Sequence, residues 1–587
     1  MADPSNSEIA AALDELGDLY ELDGAVIHRI VAYRNGAKAA REASTSLTQL
    51  ARAGRATELP GIGATLQEKI LALAQTGKIP ALEKLRARFP PGLVEMTKLP
   101  GLGPKRARRL YEELQIDSLA SLRNAAQQER IRALSGFGPK AEEQLLAALD
   151  AYEATGPQTR TILSQALAVG EELLQAIRQN PVTARAEFAG SARRMTDTVK
   201  DLDIVATATD PAALARAAVQ LQQVQAASTP GENAVRLKTH SGLNVDLRIV
   251  EPDQFGNVLQ HLTGSKEHNV ALRDFAVRRG LHISEYGVLD DATGITHRCP
   301  TEQEVYALLG MAYIEPELRE NRGELEAALE GTLPELVALA DLRGDLHSHT
   351  TASDGTASIE QMATAAKGFG YEYLAITDHS ASMGFGADVS DDQLRRQIEL
   401  VRRADAEIEG IKLLAGSEVN ILPDGSLDYP DALLAELDWV VASVHTSLRM
   451  AAKEMTMRVI SAIEHPYVDC IGHISGRKIG ERPPYELDFE AVAEAAARTG
   501  TMLEINANPN RRDMNELNAR AAAAAGVQIV IGTDAHRVDG FAVARYGIAT
   551  ARRAWLTPEQ IANTRSWAEF APLRSRLRAQ DVRASGA

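Results

Sequence analysis

The sequence predicts a multidomain chain built in three ways: an α-helical N-terminal region, a mixed α/β middle, and a C-terminal βα-barrel. Three observations predict it. Residues 8–150 read as helices broken by short Gly/Pro turns, with one turn phrase occurring three times. Two short runs near residues 201 and 246 alternate acidic and apolar side chains, as half-buried strands do. From Arg343 onward short apolar runs alternate with helical stretches, and histidines and carboxylates fall at or just after the runs. A length of 587 residues exceeds what one core holds, so roughly two to four domains are expected.

The bulk composition, 45% apolar and 24% charged, is that of an ordinary globular protein. No run of 18 apolar residues exists, so no transmembrane helix is expected. Met1-Ala2-Asp3-Pro4-Ser5 has neither a basic start nor an apolar stretch, so no secretory leader is expected. Cys299 and Cys470 are far apart and share no ligand spacing, which predicts inert thiols in a reducing cytoplasm. A net charge of −17 excludes a uniformly basic nucleic-acid binder, yet residues 51–110 carry 12 Lys or Arg against 4 Asp or Glu. A basic segment on an acidic chain suits local contact with phosphate, or a solvated helical face.

The recurring phrase is Leu59-Pro60-Gly61-Ile62-Gly63, Leu99-Pro100-Gly101-Leu102-Gly103 and Leu134-Ser135-Gly136-Phe137-Gly138. Its glycines allow a tight hairpin and close approach of a ligand to the backbone. Each turn opens a helix, whose free N–H groups and dipole favour an anion such as a DNA phosphate. The copies resemble helix-hairpin-helix elements, which hold the DNA backbone without reading sequence. The expected DNA contacts are Gly61, Gly63, Gly101, Gly103, Gly136 and Gly138. Lys105 and Arg106, with Arg108 and Arg109, follow the second copy. The stretch around Lys69, through Thr76-Gly77-Lys78-Ile79-Pro80, resembles the lyase domain of family X DNA polymerases. That resemblance gives Lys69 a Schiff-base role on an abasic sugar, with a simple phosphate contact as its alternative. Tyr33 and Arg29 match other positions of the same pocket, and Thr65 departs from the family's usual second lysine.

Asp201-Leu202-Asp203-Ile204-Val205 places two carboxylates on one face of a strand, and Asn244-Val245-Asp246-Leu247 supplies a third from another strand. Three such acids hold two Mg²⁺ or Mn²⁺ ions. Gly190-Ser191 offers a hydroxyl and backbone N–H groups to a triphosphate, and Arg194 adds a charged donor. The stretch resembles the nucleotidyltransferase palm of family X DNA polymerases. The likeness continues through Leu262-Thr263-Gly264-Ser265-Lys266-Glu267-His268-Asn269, Arg273 and Ser284-Glu285-Tyr286-Gly287, the thumb in that family. It implies nucleotide contacts from Gly190, Ser191, Arg194, Lys200, Gly264, Lys266, Asn269 and Arg273. Met195 and Lys200 stand where the family usually has glycines, and His261 and Leu262 replace an aromatic pair beside the sugar.

In the last third, Asp345-Leu346-His347-Ser348-His349, Asp354, Thr377-Asp378-His379, Glu418, Ser443-Val444-His445, Gly472-His473 and Thr533-Asp534-Ala535-His536 mix imidazole and carboxylate without cysteine. Such donors suit Zn²⁺, Mn²⁺ or Fe²⁺. The pattern resembles the polymerase and histidinol phosphatase (PHP) family, a TIM-like barrel. The resemblance implies nine metal ligands, His347, His349, Asp354, His379, Glu418, His445, His473, Asp534 and His536, for two to three ions. Asp378 is left to orient them, and Arg511 to contact phosphate or form a surface salt bridge.

Together these parts resemble the bacterial family X DNA polymerases that carry a PHP domain. The implied domains are an N-terminal 8-kDa-like region (1–90), fingers (91–155), palm (156–252), thumb (253–318), a helical linker (319–342) and the PHP domain (343–575). The implied function is gap-filling synthesis from dNTPs on primer-template DNA in base excision repair, with a 3′→5′ exonuclease in the PHP domain, by a cytoplasmic monomer without a membrane partner. Two alternatives remain: a DNA-end nuclease with a weak or inactive palm, and a PHP small-molecule phosphoesterase.

Overall fold

The computed structural model describes residues 3–574 except Lys98, Pro100, Gly101, Ser135, 156–159 and 383–387. Two compact units divide the chain, one up to Asn321 and one from Arg322, with Gly480–Arg482 grouped with the first. No described helix is long and apolar enough to cross a membrane.

The first unit begins with helices Asn6–Leu22 and Ile27–Glu42. Ser5 caps the first helix reciprocally with Glu8, and its Ile9, Leu13, Leu16, Leu19 and Leu22 are buried. One contact recurs among the described residues of the three turn phrases. The N–H groups of Ile62, Leu102 and Phe137 each donate at 3.0 Å to the carbonyls of Leu59, Leu99 and Leu134. Those three apolar residues are buried, so each hairpin is pinned to the helical core by the residue between its glycines. Helices Ala64–Thr76, Pro104–Leu114 and Pro139–Thr155 then leave from the second glycine of each phrase.

The palm is a five-stranded sheet. Its strands are β1 (Thr183–Ala189), β2 (Asp201–Ala208), β3 (Val224–Ala227), β4 (Ala234–Thr239) and β5 (Asn244–Ile249). The order is β1-β2-β5-β4-β3, with β2 and β5 parallel and the other pairs antiparallel. Leu202 and Ile204 are buried, and helix Leu163–Gln179 approaches closely: a Cβ on Gly170 would lie 2.6 Å from Leu202 Cδ1. After helices Phe255–Thr263 and Lys266–Val277 comes an antiparallel sheet of β6 (Leu281–Ser284), β7 (Gly287–Asp290) and β8 (Ile295–His297).

The second unit is a barrel of parallel strands in sequential order. They are β9 (Gly344–Asp345), β10 (Tyr373–Ile376), β11 (Lys412–Asn420), β12 (Trp439–Ser443), β13 (Cys470–Ile471), β14 (Met502–Asn506) and β15 (Ile529–Gly532). A bridge between Ser348 and Ala535 links the two ends of the sheet. Strands buried on both faces read as continuous apolar runs, as β10 and β12 do. Leu346, Tyr373, Leu414, Trp439, Met502 and Val530 fill the interior, and Phe570 stacks on Tyr373 at 4.9 Å. Trp439 stands at the start of its strand and Tyr373 at the start of its own, so this plug leaves the opposite, C-terminal strand ends open for polar side chains.

The run Val527–Ile531 enters the sheet only at Ile529, because the Val527 N–H closes the preceding helix on Ala522 O at 3.0 Å. Residues 319–342, expected as a helical linker, contain one helix, Glu324–Glu330, and pack at both ends. Arg319 is fully buried against Glu302, while Val337 and Leu342 join the barrel core. Glu324, Leu325 and Ala328 are buried as well.

Candidate active sites

In the palm, residue pairing sets the geometry. Asp203 lies opposite Asp246 across the parallel β2–β5 pair and opposite Ala189 across β1. Burial and the neighbouring charges of Asp201 and Asp246 push the Asp203 carboxyl up to about 6, against the opposing pull of Arg248 and Arg194. Gly190 has φ +63, and a Cβ there would stand 2.2 Å from Asp203 Oδ2. A cavity of about 510 Å³ is lined by Gly190, Ser191, Arg194, Asp201, Asp203, His261, Leu262, Gly264, Lys266, Asn269, Val270 and Arg273. The structure thus gathers most of the sequence-expected nucleotide residues around two of the three acids.

Some members behave differently from expectation. Lys200 is exposed and does not line the cavity. Asp246 is also outside the lining and pairs with Arg236 at 3.0 Å. Arg194 lines the cavity but already donates to Glu320 at 3.1 Å and to the Thr263 carbonyl. The Asn269 amide donates to His261 O at 2.7 Å and accepts from Gln260 at 2.9 Å, so it braces the thumb helix. Met195 adopts φ +54, a left-handed conformation that suits glycine.

The barrel brings all nine sequence-expected ligands to the C-terminal ends of its strands. Ligand atoms of His349, Asp354, His379 and His536 lie within 4.8 Å of one another, as do those of His347, His349 and Asp534, and those of His379, Glu418 and His445. His473 Nε2 completes the set 2.8 Å from Glu418 Oε1. His379 Nδ1 is 2.9 Å from Glu418 Oε2 and His349 Nε2 is 3.1 Å from Asp534 Oδ1, yet both ring nitrogens are buried without an aligned hydrogen bond. Nitrogen and oxygen that crowd together without bonding aim at a shared point, as ligands of one cation do. Burial disfavours a charged His379, yet Glu418 and Asp354 raise it to about 10; His536, half-buried, is raised to about 9 by Asp354 and Asp534. The carboxylates therefore hold a surplus of negative potential. The all-nitrogen-and-oxygen donor set fits borderline to hard divalent ions.

Around this set, Asp378 accepts from Thr350 N at 2.7 Å and Thr350 Oγ1 at 2.6 Å, and also from Ser353 and Gln397. It anchors the loop that carries Asp354. Arg511 Nε lies 3.9 Å from Asp534, at the cluster itself. Glu504 was not singled out from sequence. It is buried and bonded to His347 Nδ1 at 2.7 Å. Its signal was present: in Met502–Asn506 the outward positions are apolar, and a carboxylate points inward near a strand's C-terminal end.

In the helical region, a Cβ on Gly63, Gly103 or Gly138 would meet nothing within 4 Å, so each helix entry is open to a ligand. Gly61 and Gly136 have φ +93 and +81, which the turn requires; Gly101 lies outside the described residues. Arg106 does not point free: it sits 4.1 Å over Phe137 and donates to Gly136 O, buttressing the third hairpin. Arg108 and Arg109 pair with Glu112 and Glu113. Lys105 is exposed on this helix. Lys69 is half-buried; Tyr33 stacks on Tyr20 at 5.2 Å, and Arg29 covers Tyr20 at 4.9 Å.

Comparison with known proteins follows the same division. The family description "Helix-hairpin-helix domain" matches residues 4–79, "SAM-like Helix-hairpin-helix tandem" matches 93–151, "DNA polymerase beta thumb" matches 258–320 and "PHP domain" matches 345–508. A probable phosphatase of Thermoanaerobacter sp. (strain X514) is 33% identical over 38% of this chain and 89% of its own length. A probable phosphatase of Syntrophotalea carbinolica is 30% identical over 37% of this chain and 90% of its own length. The DNA polymerase/3′-5′ exonuclease PolX of Bacillus subtilis (strain 168) is 37% identical over 95% of this chain and 97% of its own length. With hairpins, thumb and PHP barrel in the same order along nearly the whole of that relative, the chain belongs to the PolX family, the family X DNA polymerases that carry a PHP domain.

Proposed function

We propose that this chain is a repair polymerase that adds dNTPs to a primer 3′ end at short gaps and carries a 3′→5′ exonuclease in its barrel. The single observation that carries the synthetic half is the cavity in which Asp201 and Asp203 face Ser191, Lys266 and Arg273. Asp201, Asp203 and Asp246 would hold Mg²⁺ or Mn²⁺, which would supply activation of the primer hydroxyl and neutralisation of the leaving pyrophosphate. Gly190 and Ser191 present backbone and hydroxyl donors to the triphosphate, and Lys266 adds charge. Asn269 and Arg273 set the thumb helix by the base pair. In the barrel, His347, His349, Asp354, His379, Glu418, His445, His473, Asp534 and His536 would hold two to three Zn²⁺, Mn²⁺ or Fe ions, which would lower the pKa of water and offset charge on the phosphodiester. Arg511, 3.9 Å from Asp534, would orient a phosphate oxygen.

The remaining assignments belong to this reading. Regions 1–90 and 91–155 hold DNA through the hairpin glycines and Lys105. Palm 156–252 and thumb 253–318 form the synthetic site, and the barrel covers 343–575. The protein acts as a cytoplasmic monomer. Lys69, with an ammonium that makes no hydrogen bond or ion pair among the described residues, would serve lyase chemistry or a phosphate contact. A second reading, a nuclease with feeble synthesis, is favoured by Met195 at φ +54 and by the engaged Arg194.

Labelled gapped DNA tests both halves. Asp203→Ala is expected to abolish extension and leave 3′→5′ degradation; His347→Ala is expected to do the reverse. Loss of both activities from either substitution would refute two independent sites. Wild-type chain that degrades but does not extend would favour the second reading.

A further inference from the structure

Glu504 is a fully buried carboxylate of the barrel without a ligand's role. Its Oε1 lies 2.7 Å from His347 Nδ1, and both side chains are 1% exposed. Its Oε2 accepts from the backbone N–H of His473 at 2.7 Å, and Asn506 Nδ2 stands 3.4 Å from the same oxygen. Asn506 also reaches Asp534 Oδ2 at 3.2 Å. One carboxylate therefore touches two of the nine residues that gather at the strand ends, and a third through Asn506. The neighbouring strand is shaped around it: a Cβ on Gly532 would stand 2.2 Å from Glu504 Oε1 and 2.9 Å from His347 Cβ.

We propose that Glu504 is a positioning residue that holds His347 with Nδ1 protonated, so that its Nε2 faces the metal centre, and that fixes the backbone carrying His473. The inference rests on reading the nine residues as metal ligands. A neutral imidazole with Nδ1–H donating to a carboxylate keeps its lone pair on Nε2. His347 Nε2 is buried without a hydrogen bond, 3.5 Å from Glu418 Oε2 and 3.8 Å from Asp534 Oδ1. His473 Nδ1 is likewise buried without a partner, while Nε2 meets Glu418. An ionised carboxylate only accepts, and its two oxygens here serve donors on two different residues. The amide of Gln has the same shape but one accepting oxygen. It sets an N–H against an N–H at either His347 or His473.

The test uses the full chain loaded with Zn²⁺ alone and reads Zn²⁺ retained per chain against rising chelator. Primer extension in Mg²⁺ checks the other unit, and the melting profile of the metal-stripped chain checks the barrel. Glu504→Gln and Glu504→Ala are expected to surrender Zn²⁺ at about 10- to 100-fold lower chelator, with extension unchanged. Glu504→Asp, which keeps charge and acceptors on a shorter arm, is expected to fall between. Retention equal to wild type in Glu504→Gln overturns the proposal. Loss of the barrel's melting transition in all three metal-stripped variants overturns it too, since the side chain is then a structural buttress. Wild-type chain that holds no Zn²⁺ removes the ligand reading beneath it, and the proposal with it.

Discussion

Gly190 sits where no side chain fits. Its φ of +63 is left-handed, and an added Cβ would press on Asp203 Oδ2 at 2.2 Å. Gly190→Ala is therefore expected to displace the Asp203 carboxylate by about an ångström and cost primer extension about 100-fold. Degradation of a 3′ end by the barrel should persist, and extension within a few-fold of wild type would refute the account. Five residues on, Met195 holds φ +54, a conformation that costs a non-glycine residue about 1 kcal/mol or more. Met195→Gly should raise the unfolding free energy of the first unit by about 1 kcal/mol, measured by denaturant titration; a loss of stability would contradict it. The family resemblance exposed the glycine-like position of Met195, as it implied the nine barrel donors. It did not expose what Arg194 and Arg106 bind. Their partners, Glu320 and the Gly136 carbonyl, are 126 and 30 residues away. A sequence carries an arginine's charge but not the protein group that spends it. Glu504 stayed hidden for the same reason, since its partner His347 is 157 residues distant.

At the scale of elements, alternation and turn chemistry were legible because they are local. Strand Asn244–Ile249 and the three hairpins fall where their patterns put them. The junction between palm turn and thumb was not legible. There Glu302 meets Arg193 and Arg319, each at 2.6 Å, and Arg319 is fully buried. Burial raises the Glu302 carboxyl, but the two guanidinium groups prevail and hold it down to about 2, against 4.5 for the free group. A depressed carboxylate lends stability that is fully present above its unfolded pKa and fades as pH falls through the folded one. The first unit should thus lose about 3 kcal/mol between about pH 4.5 and pH 2. Glu302→Gln should cost about 3 kcal/mol at neutral pH, because it strands a buried Arg319. It should also flatten the acid limb, and a variant with the wild-type acid profile would show that the cluster does not carry it.

For the whole molecule, charge and architecture pull in different directions. The chain carries −17 overall, so its approach to DNA depends on local cations rather than on its general field. The segment 51–110 looked like that source, with 12 Lys or Arg. The fold commits its arginines elsewhere. Arg52, Arg55, Arg86, Arg88, Arg108 and Arg109 pair with carboxylates, and Arg106 lies over Phe137. Among the described residues, the ammonium groups of Lys69, Lys78, Lys84 and Lys105 keep no protein partner and remain for phosphate. Neutral hairpin N–H groups would bring no charge to displace the cations condensed on DNA, so any phosphate contact they make should resist salt. Binding of gapped DNA should accordingly weaken with salt as a few lysine contacts do, not as a dozen. Each contact contributes a slope of about 0.9 in log affinity against log salt. Lys105→Ala, next to the open helix entry at Gly103, should flatten that slope by about 0.9 and weaken binding alike on every sequence tested. Arg109→Ala, already paired with Glu113, should leave the slope almost unchanged. Equal flattening by the two substitutions would mean that the ion pairs open on DNA, and that the charge count of the sequence, rather than the paired state of its arginines, sets how this protein holds its substrate.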